Sequence, residues 1–352
     1  MMPDVPVPPP SALRLRLDRE ALAANWAALD ALSGAARAGA AIKADCYGLG
    51  VAAAVPALAE AGCRDWFVAH WQEAAEAVRF VPAEQVSVLH GPINDMEATY
   101  ARELGVRPVL NSLPQVRRWL AAGGGPCDLM VDTGINRLGL PLTDIGAPEV
   151  GMLEIVTCMS HLASADEDCA QNAVQLALFR DVARAVRAQR YSLCNSAGIA
   201  LGSDYHFDLT RPGLALYGGL PRGELAGRIA QVAYPEAAVI QVRALSAGDS
   251  VGYNATFTAP SAMRVGVISV GYADGYLRCW SGKGHVFWQG RRLPVLGRVS
   301  MDMTIVNLST AENCDEGDWL GLEYALPEAS TASGLSQYEL ITLMGRRFSR
   351  SE

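Results

Sequence analysis

The chain has 352 residues, half of them hydrophobic, with a formal net charge of −8; that is too long for one small domain and suits a large barrel plus a smaller second domain. The basic residues are scattered rather than striped, which argues against a nucleic-acid or anionic-membrane partner. No apolar run approaches the roughly 18 residues of a bilayer span.

Residues 1–12 are expected to form a frayed tail, because residues 1–10 are Pro-rich and lack both a basic region and the apolar stretch of a signal peptide. Residues 13–17 alternate Leu and Arg with period two and read as a strand. Asp18 can cap a following helix that sets Leu22, Trp26 and Leu29 on one face. A rhythm then begins. Short β-prone runs recur near residues 38–44, 66–70, 86–91, 107–110, 128–132, 155–161, 191–195 and 207–211, with helix-like spacers such as 51–61, 72–80 and 173–188. Eight strands with helical spacers predict an α/β protein whose N-terminal part is a (β/α)8 TIM-type barrel over residues 13–220, the strand at 13–17 being free to pack with the C-terminal domain.

Beyond about residue 220 the texture changes. Alternating segments at 237–242, 263–270, 284–289, 292–296, 303–308 and 319–322 are separated by Gly, Pro, Asn and Asp. They predict a C-terminal, mostly-β domain over 221–352, with a short helix at 337–343. The eight cysteines form no C-x-x-C pair, several lie in apolar runs, and the reading is of reduced thiols in a cytoplasmic protein.

Barrel enzymes carry their catalytic groups at the C-terminal ends of the strands. Those ends here hold Lys43, the turn from Asp132 to Arg137, His161, Asn195-Ser196 and Arg211. Each has a bland alternative: a core histidine, a turn-closing aspartate, a helix cap, a strand-end turn. Together they describe a site with a lysine, a phosphate cradle and a fixed cation. Only two lysines exist. Lys283 sits in the polar turn Ser281-Gly282-Lys283-Gly284, whereas Lys43 ends the apolar run Ala40-Ala41-Ile42, so amine chemistry falls to Lys43.

The segment Ala41-Ile42-Lys43-Ala44-Asp45-Cys46-Tyr47-Gly48-Leu49-Gly50 resembles the cofactor-binding signature of bacterial alanine racemases, which are pyridoxal 5'-phosphate (PLP) enzymes of fold type III. The resemblance continues in order through residues 131–139, 160–166, 195–197, 211–218, 252–257, 271–275 and 297–302, and spans roughly residues 13–350.

That resemblance implies an isomerase interconverting L- and D-alanine by two bases, D-alanine being destined for cell-wall peptidoglycan. Lys43 would hold PLP as a Schiff base and serve one face of the substrate. Tyr253 would serve the other face, reaching across a homodimer interface, with a cation such as Arg137 favouring its phenolate. Arg137 would pair with the substrate carboxylate, and Met301 would contact substrate through its backbone. Arg211 would face the pyridine nitrogen, always protonated. Tyr47, His161, Asn195, Ser196, Gly213, Leu214 and Tyr338 match further cofactor-contacting positions. Asp166, Tyr272, Arg278, Arg298 and Asp302 resemble residues lining an entry corridor. No metal, nucleic acid or membrane partner is expected.

Three departures stand out. Met130 replaces a lysine, often carbamylated, that orients the arginine; Leu49 replaces a histidine; Ser192 replaces a histidine beside the pyridine-facing arginine. The alternatives are a racemase for serine or another small amino acid and, on weaker grounds, a PLP-barrel decarboxylase, whose motifs are missing. A non-catalytic PLP-binding barrel would lack the β domain and its tyrosine. A metal-dependent barrel hydrolase would need paired histidines, and the five histidines here are scattered.

Overall fold

The structure is a computed structural model, described over residues 8–351. Most of the tail expected at 1–12 therefore lies outside the described residues. Ser11 and Ala12 are tied down: Ser11 Oγ donates to the Arg347 carbonyl at 2.6 Å, and Ala238 N donates to Ala12 O at 2.9 Å. The chain divides into two compact units, one formed by residues 19–230 and the other by residues up to 18 together with 231–352.

The first strand, β1 (Leu13–Leu17), belongs to the second of these units. In the first unit, β2 (Arg37–Ala38) and β3 (Ala40–Ala41) form one broken stave. The other staves are β4 (Trp66–Val68), β5 (Val86–Val88), β6 (Arg107–Leu110), β7 (Pro126–Asp132), β9 (Glu154–Met159), β10 (Arg190–Ser192) and β11 (Leu209–Thr210), while the two-residue β8 (Leu140–Pro141) flanks the end of β7. Every pairing between staves is parallel. The ring closes where Gly39 N donates to Thr210 O, Asp208 N to Tyr191 O and Arg211 N to Cys194 O, at 2.8–3.0 Å. Staves such as Trp66-Phe67-Val68 are buried throughout, as expected of strands covered on both faces.

Phe67, Val109, Met130, Met159 and Leu209 fill the barrel. Nearer the N-terminal ends of the staves the filling is ionic. Arg107 lies 3.4 Å from Asp65 and 3.6 Å from Asp128, Arg190 Nη1 donates to Asp65 at 2.9 Å, and Asp128 accepts from Ser87 Oγ at 2.6 Å and Thr157 N at 2.9 Å. Groups at this end serve stability, which leaves the opposite end for chemistry.

The helices differ from expectation mainly at their ends. The helix expected at 173–188 runs Ala170–Ala185, because Val186 turns extended, and that expected at 72–80 is Trp71–Ala77. Two more, Asp95–Leu104 and Leu113–Ala121, start at Asn94 and Ser112, whose side chains accept from the amides of Glu97 and Gln115.

The second unit is built on β12 (Ala233–Leu245), much longer than the expected 237–242. It pairs antiparallel with β1, placing Leu13 opposite Ala237, and past an irregularity between Val239 and Gln241 it pairs with β15 (Met263–Ile268). The bend lets one strand serve two neighbours. A short ribbon, β13 (Ser250–Val251) and β14 (Phe257–Thr258), lies between them in sequence. With β16 (His285–Trp288), β17 (Arg291–Leu296), β18 (Thr304–Asn307) and β19 (Trp319–Leu322), the order β15-β18-β17-β16-β19-β12 returns to β15 and closes on itself. The last strand, β20 (Ser349–Ser351), runs parallel to β1. The helix expected at 337–343 is Gln337–Thr342, preceded by another at Leu326–Ser333. Among the described residues no helix is long and apolar enough to cross a membrane.

Candidate active site

Lys43 follows β3 at the mouth of the barrel, and the backbone beyond it is unusual. Ala44, Asp45, Cys46 and Tyr47 all have φ of 53–56°, a left-handed turn ended by Gly48 at 87°. Each non-glycine residue there costs roughly 1–2 kcal/mol. The turn is held by Cys46 N donating to Ile42 O at 3.0 Å and Gly48 N to Ala44 O at 2.8 Å. Asp45 Oδ1 also accepts from Val51 N at 2.8 Å, and Glu73 Oε1 from Ala44 N at 2.7 Å. Burial, with help from Arg137 and Arg211, holds the Lys43 amine below the usual lysine range, while Glu73 opposes them. A lysine so placed is closer to a free-base nucleophile than one on the surface. Lys283 is exposed in its turn.

The turn delivers Tyr47 to the loop after β11. Tyr47 is buried and its ring lies 4.8 Å from that of Tyr217. Its hydroxyl is so near Gly213 that a Cβ on Gly213 would meet it at 2.3 Å and the Ala41 Cβ at 3.3 Å. Ser196, buried, accepts at Oγ from Gly213 N at 2.9 Å and Ala215 N at 3.1 Å. Two hydroxyls and the amides of Gly213 and Ala215, which here donate to Ser196, thus converge where a side chain has been left out. Asn195 takes the capping role, its Oδ1 accepting from Gly198 N at 2.9 Å.

Arg211 is the fixed cation. It is buried, donates to the Ser160 carbonyl at 2.5 Å and to Ser192 Oγ, and lies over the Phe67 ring at 5.9 Å. Burial lowers its pKa to about 10, so it stays charged at neutral pH. Ser192 in turn donates to the Leu209 carbonyl, so the serine noted as a departure is tied between Arg211 and β11. His161 is pushed down to about 3, first by burial and then by Arg211, Arg137 and Lys43, and is a neutral imidazole.

Asp132 closes the turn that carries Arg137. Its Oδ1 accepts from Gly134, Ile135 and Asn136 amides at 2.8, 3.0 and 3.2 Å. Arg137 itself is exposed, and Met130 lies among Phe67, Val109, Met159 and Leu209, pointing to packing rather than to any orienting role. A residue that sequence reading missed acts instead on this turn. Gln175 is buried; its Nε2 donates to Thr133 Oγ1 at 3.3 Å and to the His161 carbonyl at 3.0 Å, and its Oε1 accepts from Ala163 N at 2.9 Å. Glu73 was also missed. Its signal, an acidic residue at the third position of a helix, reads as an ordinary cap. Asp166 is exposed in a loop pinned by Arg222, which donates to Ala165 O at 3.2 Å and Asp168 at 2.6 Å.

The remaining expected residues belong to the β unit. Tyr253 is 66% exposed on a loop where Gly252, Asn254 and Ala255 all have positive φ. The loop at 271–275 packs on 300–301: Tyr272 N donates to Ser300 O and Ala273 N to Met301 O, both at 3.0 Å, and a Cβ on Gly271 would collide with both carbonyls. Met301 is half exposed, Arg278 lies over the Tyr272 ring at 5.1 Å, Asp302 pairs with Arg347 at 2.7 Å, and Arg298 and Tyr338 are exposed.

Within the barrel, then, a lysine with weakened proton affinity, a cradle of hydroxyls and amides around a missing side chain, and a buried arginine stand at one mouth. PLP fits that donor set: an amine for its aldehyde, donors for its phosphate, a cation for its ring nitrogen. The class so defined is a barrel enzyme that works through a lysine-anchored, phosphate-bearing cofactor. The chain belongs to the alanine racemase family: residues 17–221 match the family's N-terminal domain profile and residues 232–352 its C-terminal domain profile. It is similar to the biosynthetic alanine racemase of Agrobacterium fabrum (40% identity, 96% of this chain, 93% of that one) and to the catabolic enzyme of the same organism (39%, 96% and 91%). Among solved structures it resembles the alanine racemase of Bartonella henselae with covalently bound pyridoxal phosphate, at 35% identity and a TM-score of 0.89 over 97% of this chain and 99% of that one.

Proposed function

We propose that the protein is a PLP-dependent isomerase that interconverts L- and D-alanine, with Lys43 and Tyr253 as its two bases. The observation that carries the reading is the convergence of Lys43, Tyr47, Ser196, Gly213 and Arg211 at one mouth of the barrel. Lys43 Nζ would hold the cofactor; Tyr47, Ser196 and the amides near Gly213 and Leu214 would hold its phosphate; Arg211 would donate to its ring nitrogen, His161 and Asn195 would contact it, and Tyr338 would add a further phosphate contact. When bound, PLP withdraws electrons from the substrate Cα and so acidifies its proton.

The chain's own groups do the rest. Arg137 pairs with the substrate carboxylate, and the Met301 backbone closes on it. Lys43 Nζ moves a proton on one face of Cα, and Tyr253 Oη moves one on the opposite face, so inversion needs both. Because Arg211 stays protonated, it donates to the ring nitrogen instead of giving it a proton, which moderates electron withdrawal and disfavours side reactions. Tyr253 stands exposed on its own unit, as a group offered to a second copy of the chain would. The active species is a homodimer in which Tyr253 of one copy serves Lys43 of the other. Tyr272, Arg278, Arg298, Asp302 and Asp166 border the approach.

Eight free cysteines, six of them buried, suit a reducing cytoplasm. D-alanine for peptidoglycan is the proposed product use, and growth of a D-alanine auxotroph carrying this chain tests it. The dimer is tested by mixing Lys43→Ala with Tyr253→Phe under conditions of subunit exchange. Each alone should be inactive; random exchange should give heterodimers with one intact site in two, or about a quarter of wild-type activity. No recovery on mixing would show that the two bases come from the same copy.

A further inference from the structure

The amide that follows Lys43 has a side-chain acceptor drawn from the helix after the neighbouring stave. Glu73 Oε1 accepts from Ala44 N at 2.7 Å, while Oε2 accepts from Ala69 N at 2.7 Å and His70 N at 3.2 Å. Ala69 and His70 follow β4, which pairs with β3. One carboxylate therefore bridges the mouths of two staves, and all three of its donors are main-chain amides. Glutamine would turn one acceptor into a donor facing another donor, and aspartate would fall short by about one methylene. Ala44 is also the first residue of the left-handed turn, where strain must be offset by surrounding bonds.

We propose that Glu73 is a positioning residue for Lys43: it clamps the strained turn to the adjacent stave, fixing the lysine's Cα, and sets a carboxylate beside a lysine otherwise faced by Arg137 and Arg211. This rests on Lys43 being the cofactor lysine. The direction of each influence agrees, since Glu73 favours the charged form of Lys43 and burial and the two arginines oppose it. His161 and His90 also feel the Lys43 charge, and His70 lies against His90 with ring centroids 4.3 Å apart.

The test compares wild type, Glu73→Gln and Glu73→Asp. In the apo proteins, hydrogen exchange of the peptide holding Ala44 should quicken about tenfold in both variants, the loss of roughly one charge-assisted hydrogen bond. In the PLP-loaded proteins, the pH midpoint of the lysine-linked chromophore should fall by roughly 1 unit in Glu73→Gln and much less in Glu73→Asp, which keeps the charge. Borohydride labelling of each protein is run alongside. A label absent from Lys43 in the wild type would overturn the cofactor-lysine reading itself. A label on Lys43 with unchanged exchange in Glu73→Gln would overturn the Glu73 proposal alone. Faster exchange with an unmoved midpoint would overturn it too, reducing Glu73 to a structural staple.

Discussion

Replacing Gly213 by alanine tests the phosphate cradle through a single methyl group. The added Cβ would lie 2.3 Å from Tyr47 Oη and 3.1 Å from Tyr47 Cζ. Ordinary contact needs about 3.4 Å or more, so the hydroxyl must retreat by roughly 1 Å. Tyr47 has little freedom to retreat: it is buried, packs on Tyr217 at 4.8 Å and is anchored in the left-handed turn. Gly213 itself has φ −133°, outside the left-handed region, and the tightest contact alanine brings is the one with Tyr47. Losing or misaligning one hydrogen bond to a charged phosphate costs about 1.5–3 kcal/mol, which raises the dissociation constant for PLP roughly 10- to 100-fold. The assay is absorbance titration of apo protein with PLP. In a Tyr47→Phe background the 2.3 Å contact vanishes and the milder ones remain, 3.1 Å to the ring carbon and 3.3 Å to Ala41 Cβ, so Gly213→Ala should cost much less there. Wild-type affinity in Gly213→Ala, or an equal penalty in both backgrounds, would refute the cradle.

Three other substitutions probe the same structure. Asp128→Ala takes one of two buried carboxylates from Arg107, leaving Asp65, and removes the acceptor of Ser87 Oγ and Thr157 N; it should cost about 3–5 kcal/mol in urea denaturation of the apo protein, leaving the site's chemistry intact. Gln175→Leu frees the Thr133 turn and the His161 carbonyl together, and should raise KM for alanine roughly tenfold with a smaller loss in kcat, since it loosens the support of Arg137 and touches neither base. His161 binds its proton far more weakly folded (about 3) than unfolded (ordinary value 6.5), so its contribution to stability is full above about pH 6.5 and is lost as pH falls toward 3. The apo His161→Gln variant should therefore show a flatter loss of urea stability between pH 6 and pH 4, and an unchanged slope would count against the neutral imidazole.

The barrel was legible because its staves are short apolar runs at regular spacing, and its mouth because polar groups end them in sequence. The proposed site contacts came from a different source: Lys43, Arg137, Ser196 and Arg211 lie in segments that resemble a known signature. What supports them was not. Glu73 and Gln175 act through main-chain amides and carbonyls that any residue supplies, so no local pattern marks them. The left-handed turn was equally hidden, since three of its four residues, Ala44, Cys46 and Tyr47, have no preference for that conformation, and bonds made by Glu73, Asp45, Cys46 and Gly48 hold it. Helix ends drifted by a few residues where a single extended residue such as Val186 decides the stop. The long β12 was underestimated because its second half serves a different neighbour and is partly exposed, which weakens the alternation.

The proposed chemistry stands or falls on Lys43 as the carrier of the cofactor. With two lysines in the chain, borohydride reduction of the purified PLP-loaded protein, followed by peptide mass mapping, gives a direct answer. One pyridoxyl label per chain is expected, on the peptide containing Lys43 and absent from Lys43→Ala. A label on Lys283, or no label at saturating PLP, would overturn the mechanism.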